Sequence, residues 1–280
     1  VVVDDVGGHV FATVEDSVVI YDLAARVVAT IPGQTEAMDL VLRGRTVYVL
    51  AAGGGSAARI NRIDADSLMV TGGWDLGVRA WGMGFVGEDI WFSSASGPTG
   101  LGRLVTSTGA VTTFPGITPY FSYVHTSTSP ARVYTLDKGT SSAKIRTFDV
   151  STGTPTLLGV NGMQNAPCPV DTTQLVASGD GVTGWMSCGP ASGFAGWNPG
   201  VVATDLAPLS IAVDRRALRL SADGQYFVAS LSGSNTNPDI GLYRTGNPAT
   251  AIATWDLSTK SSAPGMVAMT GDARRLFVMA

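Results

Sequence analysis

The chain has two histidines, His9 and His125, and two cysteines, Cys168 and Cys188. These rare side chains bound its chemistry. A cysteine-rich metal site is excluded by count, because structural zinc takes four ligands. A histidine site would need other donors, so the sequence predicts no metal and no cofactor. His125 closes the run Tyr120-Phe121-Ser122-Tyr123-Val124-His125. Oriented by a carboxylate, it would be a general base of the Ser-His-Asp kind. Without one it is a substrate contact or a partly exposed polar side chain. His9 reads as a turn residue. No Gly-x-Ser-x-Gly elbow, Walker loop or His-Glu-x-x-His stands in the sequence. Gly53-Gly54-Gly55 opens no helix and so cradles no phosphate. The carboxylate pairs Asp4-Asp5, Asp64/Asp66 and Glu88-Asp89 fall short of a calcium loop and read as turn or strand-end groups. Asn235-Thr236-Asn237-Pro238-Asp239 offers several oxygens but reads as a solvated loop. Cys168 and Cys188 admit two readings. One is a disulfide, worth about 3 kcal/mol by loop entropy and implying an oxidising compartment. The other is a pair of buried thiols packed as small apolar groups.

The scaffold that must position these residues is written in the composition. Glycine counts 35 of 280 residues, charged residues make up 14% and hydrophobic residues 45%. Helical bundles need more Ala, Glu, Lys and Leu, and disorder needs more charge and fewer apolar residues. The formal net charge of −4 argues against nucleic acid as a partner. No apolar stretch approaches the ~18 residues of a membrane-spanning helix. The chain opens in Val1-Val2-Val3 and closes in Leu276-Phe277-Val278-Met279-Ala280. Both ends are expected to be cuts within strands of a longer protein.

A triplet rich in β-branched and aromatic residues recurs seven times. It stands at Val10-Phe11-Ala12, Val47-Tyr48-Val49, Ile90-Trp91-Phe92, Val133-Tyr134-Thr135, Leu175-Val176-Ala177, Tyr226-Phe227-Val228 and Leu276-Phe277-Val278. Polar turns such as Arg43-Gly44-Arg45, Gly87-Glu88-Asp89 and Ala222-Asp223-Gly224 precede it, closing a hairpin with an earlier strand. Gly/Ser-rich loops follow, then an alternating third strand such as Lys144–Asp149, then a fourth such as Val27–Ile31. A period in the forties with strand residues predicts four-stranded blades. The expected fold is an all-β propeller of about seven antiparallel blades, the last incomplete, in one domain over 1–280. Blade limits fall near 1–36, 37–77, 78–118, 119–161, 162–209, 210–259 and a partial 260–280. Segment 189–200 reads as a long loop.

Three stretches carry a resemblance to bacterial seven-bladed propellers of the YVTN-repeat kind. They are Thr46-Val47-Tyr48-Val49, Ser221-Ala222-Asp223-Gly224 before Tyr226, and Arg26-Val27-Val28-Ala29-Thr30-Ile31-Pro32-Gly33. The resemblance implies a fold rather than an activity. It also implies that ligands meet the face formed by the loops between second and third strands and between blades. Arg79, Trp81, Tyr120, Phe121, His125 and Asn165 are the candidate binding residues there, Arg and aromatics being the types enriched at hot spots. The leading expectation is a non-catalytic binding or scaffold module of a secreted or cell-surface bacterial protein, monomeric within its chain, with a protein or carbohydrate ligand. The alternatives are a lactonase-like hydrolase acting at the central channel, and a plain spacer.

Overall fold

The computed structural model describes residues 1–52, 57–94, 99–118, 122–137, 144–162, 174–187, 194–199, 208–209, 218–221, 223–230, 239–257 and 267–279. Its fold is an all-β propeller of four-stranded antiparallel sheets, with six complete and a seventh of two strands among the described residues. The chain divides into two compact units, Val1–Ser122 and Tyr123–Ala280.

In the first unit, sheet one is β1 (Val2–Asp4), β2 (His9–Val14), β3 (Ser17–Asp22) and β4 (Val27–Pro32). Sheet two is β5 (Ala37–Arg43), β6 (Thr46–Ala51), β7 (Arg59–Asp64) and β8 (Met69–Asp75). Sheet three is β9 (Ala80–Val86), β10 (Asp89–Ser94), β11 (Gly100–Val105) and β12 (Ala110–Pro115). Two apolar layers hold the unit together. Phe11, Val18 and Ile20 pack with Val47, Val49 and Ile63. Leu50 and Ile60 pack with Met83, Ile90, Phe92 and Leu104. Sheet two therefore buries both faces, which is why its second strand reads Val-Tyr-Val-Leu rather than alternating with polar residues. Gly44 and Gly87 stand first in two-residue hairpin turns, at φ of 57° and 58°, where a side chain would be strained.

The second unit holds four sheets. Sheet four is β13 (Ser122–Ser127), β14 (Arg132–Asp137), β15 (Lys144–Asp149) and β16 (Thr156–Gly162). Sheet five is β17 (Leu175–Ala177), β18 (Gly184–Ser187), β19 (Phe194–Trp197) and β20 (Pro208–Leu209). Sheet six is β21 (Leu218–Leu220), β22 (Tyr226–Ser230), β23 (Ile240–Arg244) and β24 (Asn247–Trp255), and the seventh pairs β25 (Val267–Met269) with β26 (Leu276–Val278). Neighbouring residues of β17 face opposite ways. Leu175 joins Tyr134, Leu136, Ile145 and Trp197, while Val176 joins Trp185, Leu218, Phe227 and Tyr243.

Sheet five corrects the sequence reading in two places. The triplet Leu175-Val176-Ala177 is the first strand, not the second. The second strand is β18, whose Gly184 hid it. Segment 189–200 contains the strand β19 rather than loop alone. Its pairing with β18 sets Gly184 opposite Trp197 and Trp185 opposite Gly196. The Trp197 indole lies over Gly184, and the Trp185 ring faces Gly196. Large rings across from bare glycines supply the packing that β-branched residues supply elsewhere. His9 is also a strand residue, opening β2 opposite Asp4.

Two local devices repeat. The hairpins between first and second strands of sheets five, six and seven share one hydrogen-bond pattern. Ser178, Ser221 and Thr270 each donate a hydroxyl to the aspartate two residues on, at 2.5, 2.6 and 2.7 Å. Each hydroxyl oxygen also accepts the N–H five residues on, at 2.9, 2.9 and 3.0 Å. The second device lies at the turns between third and fourth strands. Asp22, Asp64 and Asp149 end β3, β7 and β15 and accept backbone N–H groups of the turn that follows. Just beyond, the outermost strand slips register by one residue in the same place in sheets one, two, four and six. The residues left without a partner on the third strand at that place are Val28, Thr71, Leu158 and Ile252, and a second irregularity in sheet six also skips 248–250. Such bulges twist an edge and spoil it for further pairing.

Candidate functional site

In the first unit, the turn between β2 and β3 at Glu15-Asp16 lies beside the connection between sheets one and two at Gln34–Glu36. Buried amides tie that end together. Gln34 donates its N–H to the Asp16 carbonyl at 2.8 Å, and Glu36 donates its N–H to Asp16 Oδ1 at 2.9 Å. The Gln34 Oε1 accepts from Asn61 Nδ2 at 2.8 Å, both side chains being buried. Asn61 Oδ1 accepts from Arg59 Nε at 2.8 Å, and Arg59 reaches Asp75 at 2.7 Å. The Asp39 carboxylate spans sheets two and three, accepting the N–H groups of Leu40 and Met83. The Asp39–Met83 bond ties β9 to sheet two. At the start of β9, Arg79 is exposed and Trp81 half-buried, the guanidinium carbon 5.8 Å from the indole centroid. The Trp81 N–H of the backbone donates to Ser93 Oγ at 3.0 Å. A cation poised over an indole presents a flat apolar surface and a planar hydrogen-bond fork side by side.

The opposite end of the same unit is charged and internally neutralised. Arg45 bridges Asp4 and Asp66, and Arg43 reaches the Gly87 carbonyl and Glu88 while lying 4.7 Å from the Phe85 centroid. Burial works to raise the Asp4 carboxyl, yet Arg45 and the N–H groups of Gly7 and Val6 hold it below its ordinary range. Asp4 and Asp64 thus serve turns, as the sequence suggests.

In the second unit, His125 lies half-buried on β13. Burial pushes its imidazole down to about 4, and the positive charge of Arg219 on β21 adds to the shift. The neighbouring charge is thus a cation. A triad base needs a carboxylate beside it and a value near the working pH. A neutral imidazole beside a guanidinium suits hydrogen bonding to a neutral or anionic group instead. Asp137, at the end of β14, is buried and accepts from Arg146 Nε at 2.9 Å. Burial raises its carboxyl more than Arg146 and Lys144 lower it.

Of the residues singled out in the sequence, Arg79 and Trp81 come together in the first unit, and His125 stands in the second. Tyr120, Phe121, Asn165, Cys168 and Cys188 lie outside the described residues. Sequence reasoning missed Arg219, Asp39 and the Gln34–Asn61 pair. Only the polar character of Asn61 inside an otherwise apolar run, Ile60-Asn61-Arg62-Ile63, could have pointed to the last. Among the described residues no group of three or more His, Cys, Asp or Glu is arranged to hold a metal ion.

No family model and no curated protein sequence matches this chain. Solved structures do. A chain of Kuenenia stuttgartiensis hydrazine synthase is similar at 10% identity and a TM-score of 0.75, over 100% of this chain and 94% of that one. The Myceliophteria thermophila Cps50 (Swd1) β-propeller domain is similar at 12% identity and 0.68, over 96% and 89%. A chain of the mitotic checkpoint complex is similar at 12% and 0.69, over 97% and 81%. At such identities the likeness shows the propeller fold and nothing of the chemistry.

Proposed function

We propose that the chain is a non-catalytic protein-binding or scaffold propeller, part of a larger secreted or cell-surface bacterial protein of the YVTN-repeat kind. The observation that carries the binding role is the exposed Arg79 guanidinium beside Trp81, whose backbone N–H is held by Ser93 Oγ, at the loop end of the first unit. Arg and Trp are the side chains that most often dominate an interface. A rigid backing lowers the entropy lost on binding. The likeness to a chain of the mitotic checkpoint complex, an assembly of proteins, supports the same reading. Against catalysis at His125 stands its cationic neighbour and low pKa. The bacterial and extracellular parts of the proposal rest on the YVTN-like runs and on the cysteine pair.

Peptide arrays probed with the wild-type chain, Arg79→Ala and Trp81→Ala test the site. Ligands are expected whose signal falls at least about tenfold in both variants. Arrays with no ligand, or ligands indifferent to both substitutions, overturn it.

A further inference from the structure

The edges of the sheets differ in one respect. In sheets one, two, four and six the outermost strand is broken by a bulge, and in sheet five two residues of it are among those described. In sheet three β12 keeps register with β11 through all six pairs, from Gly100–Pro115 to Val105–Ala110. Charge does not guard it either, since β12 reads Ala-Val-Thr-Thr-Phe-Pro. Among the described residues it is the one long outermost strand with neither a bulge nor a charge, its edge blunted only by Pro115 at its end.

The hydrogen-bond phase of that strand can be read from its end. The Gly116 N–H donates to the Thr99 carbonyl at 2.8 Å, in the same register as the ladder. Antiparallel pairs alternate between bonded and non-bonded. Phe114, Thr112 and Ala110 therefore turn their amides toward β11, and Val111, Thr113 and Pro115 turn theirs outward. Pro115 stands where an absent N–H costs the sheet nothing.

We propose that β12 pairs with β12 of a second copy, antiparallel, with Thr112 on the two-fold axis. In that register Val111 of each copy faces Thr113 of the other, and the pair exchanges four N–H···O=C bonds. Ala110 faces Phe114, small against large. A two-fold contact sets the residue on the axis against its own copy, so a charge there would repel itself. β12 has none. Arg103, which faces Thr112 within the sheet, is neutralised by Asp89 at 2.7 and 2.6 Å. Trp91 stacks on Phe114 at 5.8 Å and 17°, which steadies the strand from its own side. This self-complementary register favours a second copy over an unrelated peptide.

The test is sedimentation of the full 280-residue chain between roughly 10 μM and 1 mM, the range suited to a contact this small. The wild-type mass should rise toward double. Thr112→Lys and Thr112→Glu, each placing a like charge on the axis, should stay monomeric. Their equimolar mixture should associate again. Amide exchange on the wild type should show Val111 and Thr113 gaining protection with concentration. A wild type that stays monomeric, a Lys variant that dimerises like wild type, or a mixture that stays apart overturns the proposal. So does a dimer in which these two amides gain no protection.

Discussion

His125 gives the sharpest quantitative expectation. Its imidazole falls from 6.5 to about 4 on folding, chiefly because burial disfavours the charged form and secondarily because Arg219 repels it. The unfolded chain thus takes up a proton more readily than the folded one. The associated stability is complete above pH 6.5 and declines as the pH drops toward 4. At ~1.4 kcal/mol for each pH unit, the folded state loses about 3 kcal/mol across that window. Two readouts follow. With His9→Gln a single imidazole remains, and its carbon–proton NMR signal should titrate with a midpoint near 4. Urea unfolding compared between pH 7 and pH 4.5 should show a loss that His125→Gln reduces by roughly 2–3 kcal/mol. Arg219→Met should raise the midpoint yet leave it below 6.5, because burial is the larger cause. A midpoint near 6.5, or an unchanged acid loss in His125→Gln, refutes the reasoning.

Other expectations concern packing and turns. Gly184→Ala drives a methyl into the buried Trp197 indole, which packs edge-on to Tyr134. It should cost roughly 1–3 kcal/mol in urea unfolding, as overpacking does. Ser221→Ala removes a hydroxyl that links Asp223 and the Tyr226 N–H. A loss of about 1 kcal/mol is expected, and Ser178→Ala should match it if the turns are equivalent. A double-mutant cycle of Arg45→Met with Asp4→Asn should show clear coupling, because Arg45 faces a buried carboxylate at that position. Asp22, Asp64, Asp149, Asp180, Asp223 and Asp272 all sit below 3.8, held there by hydrogen bonds of their turns. Their contribution is present above pH 3.8 and disappears as the pH falls through the folded values. Acid unfolding monitored by circular dichroism should therefore show a second loss below that of His125.

The propeller was legible because its signal is periodic. A β-branched triplet sandwiched between neighbouring sheets must be apolar on both faces, and it therefore stands out from the polar turn before it. Sheet five resisted the same logic. Its second strand, Gly-Trp-Met-Ser, and its third, Phe-Ala-Gly-Trp, use ring-over-glycine packing, which propensity scales misread as turn. The site was half legible. Arg79 and Trp81 are two residues apart at the start of one strand, so their proximity is local. The Arg219 that sets the His125 charge state comes from a strand 94 positions away, and no spacing rule reaches that far. The bulges were invisible for a different reason. The extra residue is Val28, Thr71, Leu158 or Ile252, and no residue type marks it.

That same variety at the bulge has a colloidal consequence. Soluble β proteins commonly keep their edges apart with lysine, whose repulsion fades as salt rises. This chain has lysine only at Lys138, Lys144 and Lys260, the outermost strands among the described residues carry none, and most of those edges are separated by backbone shape. Shape is not screened by ions and does not titrate. Away from β12, its resistance to fibrous association should be nearly indifferent to ionic strength, and should persist even near its isoelectric point of about 5.1.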